Sequence, residues 1–109
     1  MKRVLFYEVQ GQKLQQKQNG DYDNIVKGTK NYLYVQFQFD KVWDGMNKVL
    51  EASNEHDFRN SRAVAIRNNA AMIPNEVTDQ KEIYFRVFGN NTLNQMICTN
   101  TMLIKQKGV

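Results

Sequence analysis

Few residues in this chain have side chains suited to chemistry. Ser53, His56 and Asp57 are the residue types of a hydrolytic triad. They crowd into one polar stretch, 53–61, with no oxyanion-hole motif beside them, and such a stretch reads as a solvated loop. Cys98 is the single cysteine, so no intrachain disulfide can form, and with His56, the single histidine, it makes too small a set for zinc. Placed between Ile97 and Thr99, it reads as a small filler rather than a nucleophile. Asn90-Asn91-Thr92 fits a glycosylation sequon, but its place after Gly89 marks it as a turn. Trp43 has the shape of a sugar-stacking platform, yet beside Val42 and ahead of Asp44-Gly45 it reads as a core indole. No catalytic, cofactor-binding or metal-binding residue emerges, and no cofactor is implied. What remains is Tyr32, Tyr34 and Arg86, residue types enriched at binding hot spots and predicted to point away from the core. They are the candidate protein-interface residues, set against an ordinary solvated sheet face.

The elements that carry them are legible in the alternation. In Asn31–Asp40, Leu33, Val35, Phe37 and Phe39 fall on one face and Tyr32, Tyr34, Gln36 and Gln38 on the other. That period of two predicts a half-buried central strand. Glu82–Phe88 alternates likewise, with Ile83, Phe85 and Val87 opposite Tyr84, Arg86 and Phe88. Residues 2–9 suit a strand that Gly11 ends, with a short continuation around Leu14. Asn19-Gly20-Asp21 signals a turn and an exposed loop to about Lys30. Arg62–Arg67 reads as a short strand, Asn68-Asn69 as a turn, and Ala70–Ile73 before Pro74 as an edge or crossover segment. Leu93–Lys105 reads as a long or kinked final strand.

Residues 40–53 are ambiguous. Asp40 could cap a helix, and Val42 or Trp43, Met46, Val49 and Leu50 recur at helical spacing. Gly45 opposes it by about 1 kcal/mol relative to Ala. The rival is a bend at Trp43-Asp44-Gly45 followed by a strand over 47–52. Periodicity alone slightly favours the helix.

The whole pattern, 1–109, predicts one all-β domain, an antiparallel β-sandwich of about seven or eight strands. Its core is predicted from Leu33, Val35, Phe37, Phe39, Trp43, Ile83, Phe85 and Val87. The 41% apolar content can form such a core. No apolar run reaches the roughly 20 residues of a membrane span. Glu8 comes too early for a signal peptide, so synthesis in a cytoplasm is expected. A net charge of +4 with scattered Lys and Arg suits a solvated surface and ranks nucleic-acid binding low.

Several segments together resemble a known family. They are Val4–Leu14, Tyr32–Phe39, the bend Val42-Trp43-Asp44-Gly45, Met72-Ile73-Pro74-Asn75-Glu76-Val77, Ile83–Gly89, and Cys98-Thr99-Asn100-Thr101. In this order they are similar to the small immunoglobulin-like domain of phage baseplate, tail and head-fibre proteins, of the upper-baseplate-protein type. The resemblance implies an immunoglobulin-like sandwich without an active site, and it reverses the helical reading of 40–53. It implies a non-enzymatic virion structural protein, made in the host bacterial cytoplasm, that binds other tail, baseplate or head proteins and assembles as a homo-oligomer or on a symmetric partner. The alternatives are a module binding host-surface carbohydrate and a small basic nucleic-acid-binding β protein. Lys2–Gln10 and the strand 100–107 are the expected open edges for assembly.

Overall fold

A computed structural model of the chain describes residues 2–17 and 32–105; the side chains of Lys2, Arg3 and Tyr32, and the turn expected at Asn19-Gly20-Asp21, lie outside the described residues. The alternating stretch forms strand β3, Tyr32–Phe39, with Leu33, Val35 and Phe37 buried and Gln36 and Gln38 exposed. It pairs with β1 (Lys2–Gln10) on one side and β6 (Ala70–Ile73) on the other, and β2 (Lys13–Gln16) adds to the far side of β1. The second sheet runs β5 (Arg62–Ala65), β4 (Asn47–Ser53), β7 (Glu82–Asn90), with β8 (Met96–Cys98) and β9 (Met102–Lys105) sharing the outer side of β7. The two sheets, of four and five strands, pack as the sandwich that the alternation predicts.

One pairing departs from the antiparallel expectation. β1 and β3 run parallel, with Leu5 beside Val35, Tyr7 beside Phe37 and Val9 beside Phe39. The reason lies in the hairpin before it. β2 folds back along β1 until the Lys17 N–H donates to Phe6 O at 2.9 Å, so a strand starting beside Lys2 runs in β1's own direction. This also corrects the assembly expectation for the N-terminal segment. Lys2–Gln10 lies between two strands over its second half and sends Leu5, Tyr7 and Val9 into the core. Deleting residues 1–9 would remove core together with the short edge at residues 2–5, which β3 alone pairs among the described residues. The final strand does lie at an edge: β9 pairs with β7 alone among the described residues. On β2, Leu14 turns its backbone away from β1, and the Asn100 side chain stands in for a neighbouring strand. Its carbonyl accepts from Leu14 N–H at 2.7 Å and its amide donates to Leu14 O at 3.1 Å.

The 40–53 ambiguity resolves as bend and strand. Asp40 caps one turn of 3₁₀ helix, Lys41–Trp43, its carboxylate accepting from Val42 N–H at 3.2 Å and from Gly11 N–H at 2.7 Å. Gly45 then takes φ +75°, a left-handed conformation that ends helical winding, and β4 follows. The bend drops Trp43 fully into the sandwich, where its indole N–H donates to Gly11 O at 2.7 Å. The Gly11 peptide is thus gripped on both sides, by Asp40 and by Trp43.

Seven of the eight predicted core residues are buried; Phe39 is half-buried and packs against the cluster from its rim. Tyr7 joins the sheets, meeting Phe85 edge-on at 5.0 Å between ring centres. Asn68 and Asn69 both adopt left-handed φ, 53° and 60°, and make the expected tight turn that carries the chain from one sheet to the other. After Pro74 a single helical turn, α1 (Asn75–Thr78), plugs Val77 into the core. The final segment is kinked: the β7 register shifts by one residue between β8 and β9, and Thr99 fills the step by accepting from Val87 N–H through its hydroxyl at 3.0 Å.

Candidate interaction surfaces

The triad types are not assembled. The Ser53 hydroxyl is buried and donates to Arg59 O at 2.6 Å, Asp57 pairs with Arg59 at 2.8 Å, and His56 is exposed. Burial first, with the Glu51 charge adding and the Arg86 charge opposing, raises the Cys98 thiol above its ordinary pKa, the wrong direction for a nucleophile. No group of three His, Cys, Asp or Glu that could hold a metal exists among the described residues. Among the described residues no helix is long and apolar enough to cross a membrane. An open cleft of about 390 Å³ between the 54–60 loop and the 80–82 turn has mixed lining, including Glu55, Arg59, Lys81 and Glu82. Trp43 cannot stack on a sugar from inside the core.

Tyr34 and Arg86 both leave the core, as alternation requires, but on opposite outer faces of the sandwich. Tyr34 belongs to the first sheet, flanked by Val4 on β1 and Met72 on β6. Next along the same face come Phe6 beside Gln36 and Glu8 beside Gln38. Gln15 donates to Glu8 at 3.2 Å, and the Lys17 ammonium donates to Gln38. The result is an apolar stripe, Val4, Phe6, Tyr34 and Met72, rimmed by amides. Tyr32 enters β3 opposite Lys2.

Arg86 belongs to the second sheet and is the centre of a different arrangement. Its Nε–H donates to Glu51 Oε1 at 2.7 Å from the neighbouring strand, and Glu51 Oε2 accepts from the Ser61 hydroxyl at 2.9 Å. Its guanidinium stacks 3.9 Å above the Phe58 ring and 5.0 Å from Phe88. Phe58 reaches it only because the 54–60 loop doubles back, with Phe58 at φ +59° and Asn60 at φ +52°. A left-handed aromatic residue costs energy, and here the loop over-determines it. The Asn54 amide ties the loop to Val77 O at 2.8 Å and Glu82 O at 2.9 Å. Sequence reasoning found Arg86 and missed Phe58, because nothing in its neighbours announces positive φ at a phenylalanine.

The comparisons add no relative: no protein-family profile, no curated protein and no solved structure matches the chain.

Proposed function

We propose that this protein is a phage virion structural component, a non-enzymatic immunoglobulin-like module that binds other tail, baseplate or head proteins. The observation that carries the reading is the outer face of the first sheet. Val4, Phe6, Tyr34 and Met72 form a half-exposed apolar stripe ringed by Gln15, Gln36 and Gln38. An apolar centre with a polar rim, here amides together with Glu8 and Lys17, is the anatomy of a protein contact surface. The resemblance of the sequence segments to phage immunoglobulin-like domains is what suggests the partner class. Virion parts occur in symmetric copies, so the module works as a homo-oligomer or seated on a symmetric partner.

Mass spectrometry of purified particles from the phage that encodes the protein should find it at a fixed stoichiometry; its absence from particles would end the virion reading. Tyr34→Ala should keep the melting temperature within a few degrees while lowering incorporation into particles by tenfold or so, since hot-spot truncations cost about 2 kcal/mol or more. Unchanged incorporation would leave that face as ordinary solvated sheet.

A further inference from the structure

The cleft between the 54–60 loop and the 80–82 turn lies where β4 ends and β7 begins, and the chain itself fixes its shape. The Asn54 amide joins its two walls, donating to Val77 O at 2.8 Å and to Glu82 O at 2.9 Å. On the loop side, Glu55 N–H donates to the buried Ser53 hydroxyl at 3.0 Å, and that hydroxyl donates to Arg59 O at 2.6 Å. Phe58 N–H closes the loop on Glu55 O at 3.0 Å. These bonds hold Phe58 at φ +59° and Asn60 at φ +52°. Backbone strain of this kind gathers at ligand sites, where the surroundings over-determine it.

Every residue lining the cleft has a polar side chain. Amides that include Asn54 and Asn60 stand among the carboxylates of Glu55 and Glu82 and the cations of Arg59 and Lys81. Arg59 is paired with Asp57 at 2.8 Å. The Asn60 amide, the Glu55 carboxylate and the Lys81 ammonium have no hydrogen-bond or ion-pair partner among the described residues. Tyr84 donates its hydroxyl to Glu82 Oε2 at 3.2 Å. Partial burial, then the Glu82 and Glu55 charges, raise that phenol above its ordinary pKa, so both carboxylates act on one hydroxyl.

That lining narrows the ligand. Small-molecule clefts of about 300–1,000 Å³ are mostly apolar. This one, about 390 Å³, is not, so its occupant must hydrogen-bond over most of its surface. A protein contact with an apolar centre finds no such centre here. Glu55 and Glu82 repel an anion, and Arg59 and Lys81 repel a cation. What fits is an uncharged molecule dense in hydroxyl groups. We propose that this cleft is a binding site for a neutral saccharide. Glu55 and Glu82 accept from sugar hydroxyls, Lys81 donates to sugar oxygens, and the Asn60 amide does both. Walls set in advance lower the ordering cost of binding. The cleft belongs to the second sheet and the Tyr34 stripe to the first, so the inference stands whichever assembly the protein joins.

The test uses the full chain, labelled for NMR. It is titrated with glucose, galactose, mannose and N-acetylglucosamine, and with the charged sugars glucuronate and glucosaminium. At least one neutral sugar should give saturable shifts centred on the Glu55, Asn60 and Lys81 amides, with half-saturation on the order of 1–10 mM. Both charged sugars should bind at least about threefold more weakly. Asn60→Gly keeps the left-handed backbone, and so the fold, while removing the amide. It should weaken binding about fivefold, the worth of one hydrogen bond. Glu55→Gln removes one charged acceptor from an exposed side chain and should weaken binding about tenfold. No saturable shift with any neutral sugar, shifts centred elsewhere, charged sugars binding as tightly, or unchanged affinity in either variant would each overturn the proposal.

Discussion

Gly89→Ala should destabilise the protein far more than its size suggests. Gly89 sits on the inner face of β7, and a Cβ there would lie 2.6 Å from Trp43 Cζ3, 2.9 Å from Trp43 Cε3 and 3.0 Å from Met46 Sδ. Carbon atoms pack comfortably at about 3.5–4.0 Å, so the indole must retreat by about 1 Å. It has little freedom to do so: its N–H is held at 2.7 Å by Gly11 O, and Phe39 packs against it at 5.2 Å between ring centres. Overpacking of this kind costs about 1–3 kcal/mol. Stretching the indole hydrogen bond forfeits about 1 kcal/mol more. The sum, about 2–4 kcal/mol, corresponds to a melting-temperature drop on the order of 10–20 °C for a domain this size. Gly11→Ala is the matched control. Gly11 has φ +59° but nothing within 4 Å of a built Cβ, so only backbone strain of about 1–2 kcal/mol applies. Urea melts followed by circular dichroism give both costs, and the Trp43 indole N–H resonance reports the local shift. A Gly89→Ala cost below that of Gly11→Ala, or an unmoved indole resonance, would refute the packing argument.

Phe37→Ala removes a buried ring that lies 6.4 Å from Tyr7 and 5.4 Å from Phe39, between ring centres, and should cost about 3–5 kcal/mol in a denaturant melt. Asn100→Ala deletes both bonds to Leu14 and should cost about 1–3 kcal/mol, with faster hydrogen exchange at the Leu14 amide and new self-association by sedimentation as the β2 edge opens. Because the Cys98 thiol is raised, its alkylation at pH 8 should be slower than that of a free cysteine peptide and should accelerate as pH rises past the ordinary thiol range. Arg86→Met, which removes the one charge holding that thiol down, should slow the alkylation further; an increase would contradict the electrostatic assignment.

The two most regular strands were legible because alternation is local: Leu33, Val35 and Phe37, and Ile83, Phe85 and Val87, announce their faces without any partner. Alternation also tells that Tyr34 and Arg86 point outward. It cannot tell which sheet each strand joins, and so it grouped two residues that the fold puts on opposite sides. The helical spacing across residues 40–53 was real but lost to Gly45 and to the space a buried indole fills. In sequence Asn100 read as part of the final strand; its role as a substitute strand depends on a partner at the other end of the chain. Phe58 over Arg86 depends on loop geometry that no residue pattern encodes.

The contact between Asn100 and Leu14 spans 86 positions, and the β1–β3 ladder itself joins segments about thirty residues apart. Closing loops of such length precedes any reward from the contacts they bring together, which makes chains of this kind slow to fold. During synthesis β1 waits for β3 to leave the ribosome, and β2 keeps a bare edge until residue 100 follows. The nascent chain therefore passes a long interval in which its first hairpin exists with one side unprotected. In refolding experiments, protection of the Leu14 amide should trail that of the β4–β7 ladder, whose hydrogen bonds do not wait for the last strand.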